Sequence, residues 1–257
     1  MGELLKIDHV SYHYHNLDGE TKALDNISFQ VNDGEFLAVV GPSGCGKSTL
    51  LSLIAGLIQP DTGGIYINGK DVKSSGKNIG YMLQKDHLLE WRSTIKNLTL
   101  GLEIQDKLTD GSFVTINRLL DTYGLITFKN AKPSELSGGM RQRAALIRTL
   151  LLEPDILLLD EPFSALDYQT RIEVSDDIWS IIRKEKKTAI LITHDISEAI
   201  SMADRIVVLS HRPASVKSII DIHLTMEEKS PFHARSAPEF KDYFNLIWKE
   251  LTQYEKE

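Results

Sequence analysis

The feature that most constrains the fold of this chain is the stretch FLAVVGPSGCGKSTLLSLIAG, which begins at Phe36. Five apolar residues run into a glycine-rich turn, and an apolar-rich run follows it. Gly41, Gly46, Lys47 and Ser48 match the spacing G-x-x-x-x-G-K-[ST], and the strand-like and helix-like flanks supply the context that this pattern requires. Backbone N–H groups can surround a polyphosphate only where the chain bends tightly and no Cβ blocks the approach. The glycines, Gly44 among them, serve that end, and the following helix adds the positive end of its dipole. Lys47 is expected to reach the β- and γ-phosphates. Ser48 is expected to offer its hydroxyl to Mg²⁺, a hard cation that binds few protein oxygens, and Thr49 to donate to a neighbouring phosphate oxygen. Pro42, Ser43 and Cys45 complete the expected binding loop.

Bulk properties narrow the setting of this loop. The chain has 257 residues and is 42% hydrophobic, enough for a substantial core in one large or two small domains. Its net charge of −7 leaves no broad basic surface to neutralise a nucleic-acid backbone, so no nucleic acid is expected as partner. The apolar runs fall short of the ~20 residues needed to span a bilayer, and MGELLKIDHV lacks a signal-peptide core. Any membrane role is therefore expected to pass through another chain. Cys45 is the single cysteine, so no internal disulfide can form and a reducing cytoplasm fits. Two readings stand for its thiol: a loop position that tolerates any small side chain, or a group open to alkylation when the site is empty.

Periodicity gives the organisation. Residues 4–12 and 24–31 alternate as half-buried strands do, a turn is expected at 32–34, and 65–70 reads as a short strand and turn. From 87 to 153 the spacing is helical, at 98–102, 113–123 and 140–152. Strands return at 156–159, 188–193 and 206–210, with helices at 171–184 and 197–203 between them, the βαβ alternation of a parallel sheet. The fold class expected is α/β, with an antiparallel β part and an inserted helical subdomain. A polar tail from 212 is expected to end in a helix at 238–254.

The run LSGGMRQR at 136–143, directly before a helical stretch, resembles the signature sequence of ATP-binding cassette proteins. Ser137, Gly138 and Gly139 would present a hydroxyl and bare N–H groups at a helix N-terminus, a second anion site in the chain. ILLLDE follows at 156–161, where a buried strand ends in two adjacent carboxylates, and buried carboxylates without partners are costly. In the family pattern Asp160 holds Mg²⁺ through water, and Glu161 is the general base that polarises water towards the γ-phosphate. The resemblance further implies that Ser164-Ala-Leu-Asp167 is the D-loop and that His194, at the end of an apolar strand, contacts the γ-phosphate. It also implies that Gln84 senses Mg²⁺ and the attacking water, and that Tyr14 stacks on adenine. Tyr12 alternates with Tyr14, and either could belong to the core.

The resemblance covers roughly residues 4–212 and implies a RecA-like P-loop NTPase, a single ABC ATPase domain over 1–257. Its nucleotide-binding core would span 1–86 and 154–212, its helical signature subdomain 87–153 and a short helical tail 213–257. The segments around 88–97 and 161–171 are similar to the nitrate/sulfonate/taurine importer group, although Glu90-Trp91 stands where that group usually has Pro-Trp. The implied function is that of an ATP-hydrolysing transporter subunit. Two copies would sandwich two MgATP head to tail and drive a separate permease, fed by a substrate-binding protein, at the cytoplasmic face of the inner membrane. The rival is a non-transport ABC ATPase acting on ribosomes or DNA, but such relatives typically carry two cassettes or a long coiled coil. A P-loop kinase has no reason for LSGGMRQR. Leu88, Leu89 and Trp91 are expected either in the core or at the permease interface.

Overall fold

The computed structural model describes residues 2–16, 19–75 and 79–252. In chain order the first elements are β1 (Glu3–Asn16), β2 (Gly19–Asn32), β3 (Phe36–Val40), α1 (Lys47–Ile54), β4 (Thr62–Ile67), β5 (Lys70–Asp71), α2 (Val72–Ser75) and β6 (Ile79–Met82). Three helices follow: α3 (Thr94–Ile104), α4 (Asp110–Thr122) and α5 (Gly138–Leu150). The chain then alternates through β7 (Ile156–Asp160), α6 (Tyr168–Lys184), β8 (Thr188–Ile192), α7 (Ile196–Met202) and β9 (Arg205–Leu209). It ends with β10 (Val216–Asp221), α8 (Pro231–Ala234) and α9 (Phe240–Thr252).

The strands form two sheets. One is antiparallel in the order β2-β1-β4-β5; the other runs β10-β9-β3-β8-β7-β6 and is parallel except for β10. β3 and β8 are buried along their whole length, as strands covered on both faces must be, which is why their sequences read as unbroken apolar runs. The side-chain period of two divides β3 between two cores. Leu37 and Val39 face α1 and the antiparallel sheet, whereas Phe36, Ala38 and Val40 face the helices on the far side.

A third core lies among α3, α4 and α5, built on Leu98, Ile116, Leu120 and Ile147. Helix α5 serves two cores at once: Ala144 and Ile147 belong to this helical cluster, while Ala145, Leu146 and Leu150 pack into the main sheet's core. Leu88 is a member of the helical core at 6% exposure, Leu89 is half-buried, and Trp91 stands out at 76% exposure. The trio left open by the sequence is thus divided along its length.

The segment after 212 departs from the expected polar tail. Residues 216–221 form an edge strand antiparallel to β9, with Ile220 opposite Ile206, and α9 buries Ile247 fully against the main core. The expected helix 238–254 is α9; residues 253 and 254 lie outside the described residues. Among the described residues no helix is long and apolar enough to cross a membrane.

Register places the functional segments. Val39 pairs with Ile192, Ile192 with Asp160, and Met82 with Leu159, so the C-terminal ends of β3, β8, β7 and β6 finish on one line. Ligands of open α/β sheets bind beyond that edge.

Candidate nucleotide-hydrolysis site

The glycine-rich loop leaves β3 and enters α1 at its expected place. Gly46 has φ 124°, and a Cβ there would come within 2.8 Å of Leu24 Cδ2 and 3.2 Å of Ala23 O, so both conformation and space require glycine. Lys47 is 6% exposed. Its Nζ donates to Gly41 O at 2.8 Å and Pro42 O at 2.9 Å, which satisfies the buried cation with the loop's own carbonyls. Cys45 points into the main core instead of the binding side, and burial pushes its thiol pKa up; this is an inert position, and the alkylation reading finds no support. An open cavity of about 240 Å³ lies over the loop, lined by Tyr14, Ser43, Lys47, Ser48, Glu161 and Arg212 among others. A larger one, about 600 Å³, lies between α6, α7 and the segment after β10, and none of the expected site residues reaches it.

Three strand ends converge beside this loop. Ser48 Oγ donates to Asp160 Oδ1 at 3.2 Å, so a hydroxyl and a carboxylate stand together, the hard oxygen pair that Mg²⁺ takes alongside phosphate oxygens and water. Burial pushes the Asp160 pKa up; the Ser48 hydrogen bond opposes this and the Glu161 charge reinforces it. Glu161 has φ 45°, the left-handed region, and is held there by its N–H donating to Ile192 O at 2.9 Å. Its carboxylate Oε2 lies 3.1 Å from His194 Nδ1. Gln84 Nε2 donates to Ser164 Oγ at 3.1 Å, and that hydroxyl donates in turn to Glu161 O at 2.9 Å, tying the Gln84 segment to the backbone of the catalytic candidate. Tyr14 lines the cavity with its hydroxyl 2.8 Å from Thr49 Oγ1, while Tyr12 is partly buried against the main core with its ring edge-on to Tyr14. Thr49 is therefore engaged with Tyr14 in this conformation.

Residues 137–139 and Asp167 sit elsewhere. Ser137 caps α5, accepting from Met140 N–H at 3.3 Å, and Asp167 caps α6, accepting from Thr170 N–H at 3.1 Å. A Cβ on Gly138 would lie 2.9 Å from Leu166 Cδ2, and one on Gly139 2.6 Å from Val174 Cγ2, so both glycines let α5 approach the D-loop segment and α6. None of Ser137, Gly138, Gly139 and Asp167 lines the cavity over the phosphate loop.

Several supporting residues were not legible from motif spacing. Arg171 Nη2 donates to Leu166 O at 3.0 Å and its Nη1 lies 3.6 Å from Asp195 Oδ2, joining the D-loop to the residue after His194. Arg141, within the signature run, grips Asp86 through Nε at 2.8 Å and Nη2 at 3.2 Å, and reaches Glu90 at 3.0 Å. Arg212, where the sequence reads only as the start of a polar tail, lines the cavity over the phosphate loop. These are ion pairs and side-chain-to-backbone hydrogen bonds between separate segments, and periodicity carries no signal for them.

Comparison with known proteins shows the family of the chain. Residues 24–164 match the family model described as ABC transporter. The protein YtlC of Bacillus subtilis, named an uncharacterized ABC transporter ATP-binding protein, is 47% identical over 253 residues, covering 98% of this chain and 97% of its own. The nitrate import ATP-binding protein NrtD of Synechocystis sp. is 40% identical, with 89% and 88% covered. The aliphatic sulfonates import ATP-binding protein SsuB of Bacillus cereus is 37% identical, with 98% and 96% covered. Among solved structures, the ATP-binding cassette MJ0796, described as a dimer in a post-hydrolysis state bound to ADP and Pi, superposes with a TM-score of 0.72 at 28% identity. It covers 86% of this chain and 99% of that one. The chain belongs to the ABC transporter family and is one of its ATP-binding, ATP-hydrolysing subunits.

Proposed function

We propose that this subunit drives uptake of a small anionic or organosulfur-type solute through a separate permease, to which a substrate-binding protein delivers the cargo. It would work at the cytoplasmic face of the inner membrane. Two copies close head to tail on two MgATP, and closure and reopening move the permease. The names of the relatives NrtD and SsuB support the solute class. Exposed Trp91, beside half-buried Leu89, supports a docking surface on the helical part, 87–153. The core of 1–86 and 154–212, extended by β10 and α9, holds the nucleotide.

The observation that carries the hydrolytic reading is the common edge of β3, β7 and β8, where His194 meets Glu161 at 3.1 Å beside the phosphate loop. The loop amides and Lys47 hold the phosphates, with Pro42, Ser43, Gly44 and Thr49 shaping the cradle. Ser48 and Asp160, with Gln84, would hold Mg²⁺, which would supply charge neutralisation on the bound polyphosphate. A carboxylate whose ionised form is penalised by burial gains most from a cation, which fits Asp160 to that role. Glu161 takes the proton of the attacking water, and His194 orients that carboxylate and contacts the γ-phosphate. Tyr14 receives the adenine. Ser137, Gly138, Gly139 and Asp167 complete the partner copy's site: within one chain they stand off the cavity, and the exposed Ser137 and Gly138 crown a helix N-terminus.

Glu161→Gln keeps the size of the side chain and removes the proton acceptor. In the assembled complex it is expected to keep MgATP binding and lose ~10²- to 10⁴-fold in turnover. Near-normal hydrolysis by this variant would assign the base elsewhere.

A further inference from the structure

The loop between β9 and β10 is stitched to the wall of the phosphate loop. Ala214 N–H donates to Ala23 O at 2.9 Å and Ala214 O accepts from Asp25 N–H at 2.8 Å, a parallel bridge onto Leu24. Ala23 O and Leu24 are the groups against which Gly46 packs. Two residues before that bridge, Arg212 lines the cavity over the phosphate loop. Its Nε donates to Lys22 O at 3.3 Å, and its guanidinium carbon stands 5.9 Å from the centre of the Tyr14 ring, over the ring. Tyr14 is anchored in turn by its hydroxyl on Thr49. A planar cation and an aromatic ring thus face each other at the cavity mouth, both on backbone held in register with the phosphate loop.

We propose that Arg212 is a base-holding residue of the nucleotide site, forming with Tyr14 a two-sided clamp on the purine ring. The inference rests on the nucleotide-site reading above. Lys47 and the loop amides already serve the phosphates, whereas a guanidinium is weakly hydrated, planar and suited to lie on a π-face. A base in contact with both groups, at roughly 3.5 Å from each, needs the exposed arginine to swing out by only about 1 Å. Arginine is thus placed to select the ligand's base and not its phosphate count.

The test is equilibrium binding of MgATP, MgADP and inorganic tripolyphosphate to the purified full chain, as wild type, Arg212→Ala, Arg212→Lys and Tyr14→Ala, with melting curves as the check of folding. Arg212→Ala is expected to weaken MgATP and MgADP alike, by about 3- to 30-fold, and to leave tripolyphosphate binding unchanged. Arg212→Lys keeps the charge without the plane and is expected to recover little of the loss. If Arg212→Ala weakens tripolyphosphate as much as MgATP, or if lysine restores full affinity, the residue acts as a phosphate-directed charge and the base assignment falls. Unchanged nucleotide affinity in a folded Arg212→Ala chain overturns the inference alone. Failure of the wild-type chain to bind MgATP overturns the nucleotide-site reading itself, and the clamp with it.

Discussion

Glu161 holds a left-handed backbone conformation that costs a non-glycine residue of order 1 kcal/mol or more, and such strain persists only where the surroundings over-determine it. Here the Ile192 carbonyl, His194 and the Ser164 hydroxyl fix the residue from three sides. A second carboxylate nearby has no place in the chemistry. Glu198, on the first turn of α7, is buried, and that burial pushes its pKa from 4.5 to about 7, with Asp195 adding to the rise against Thr193, Arg171 and Arg235. The unfolded chain releases this proton near pH 4.5 and the folded chain near 7, so the folded state binds more protons across that window. Its contribution to stability is fully present below about 4.5, is lost as pH rises to about 7, and is flat above. Glu198→Gln abolishes this slope. Relative to wild type, the variant is expected to gain up to ~3 kcal/mol between pH 5 and pH 8; melting curves that shift in parallel across that range would contradict it.

At the scale of elements, the motif-bearing ones were the most legible, because each pairs a buried apolar strand with a chemically distinctive end. β3 with its glycine loop and β7 with Asp160 and Glu161 fall where the spacing puts them. Edges were less legible. β10 is half-exposed and alternates weakly, so its sequence resembles a tail, and its pairing depends on β9, which no local pattern encodes. Helix α3 runs from Thr94, earlier than its leucines suggest, because Asn97 is a buried polar anchor: its side chain accepts from Leu89 N–H at 2.7 Å and donates to Leu89 O at 3.1 Å. Among helices, α5 is the joint between cores, and Gly139 sets its distance from α6. Gly139→Ala drives a Cβ to 2.6 Å from Val174 Cγ2, and overpacking of this kind is expected to destabilise by about 1–3 kcal/mol. Adding Val174→Ala removes the opposing methyl, so denaturant unfolding should show the pair to be less costly than the sum of the two changes. Strict additivity would mean that the glycine serves another purpose.

At the scale of the whole molecule, the phosphate loop and residues 137–139 are kept apart in one chain. The phosphate loop lies at the end of β3 beside β7 and β8, while 137–139 open α5, which is braced by Arg141 onto Asp86 and Glu90 and by Arg148 onto the carbonyls of Asp86 and His87. Bracing of that kind links α5 to the segment between Gln84 and Trp91. It also fixes the position of 137–139, which the proposed head-to-tail arrangement would present to a second copy. The most direct measurement is nucleotide trapping in tagged, mixed complexes that pair a Lys47→Ala subunit with a Ser137→Arg subunit, each inactive on its own. If the sites act across chains, one pocket of the mixed dimer carries both lesions and the other none, and trapped nucleotide should return to about half the wild-type amount. If they act within a chain, both pockets keep one lesion, and trapping no higher than in either mutant homodimer, with both tags present in the purified complex, would contradict the head-to-tail sandwich.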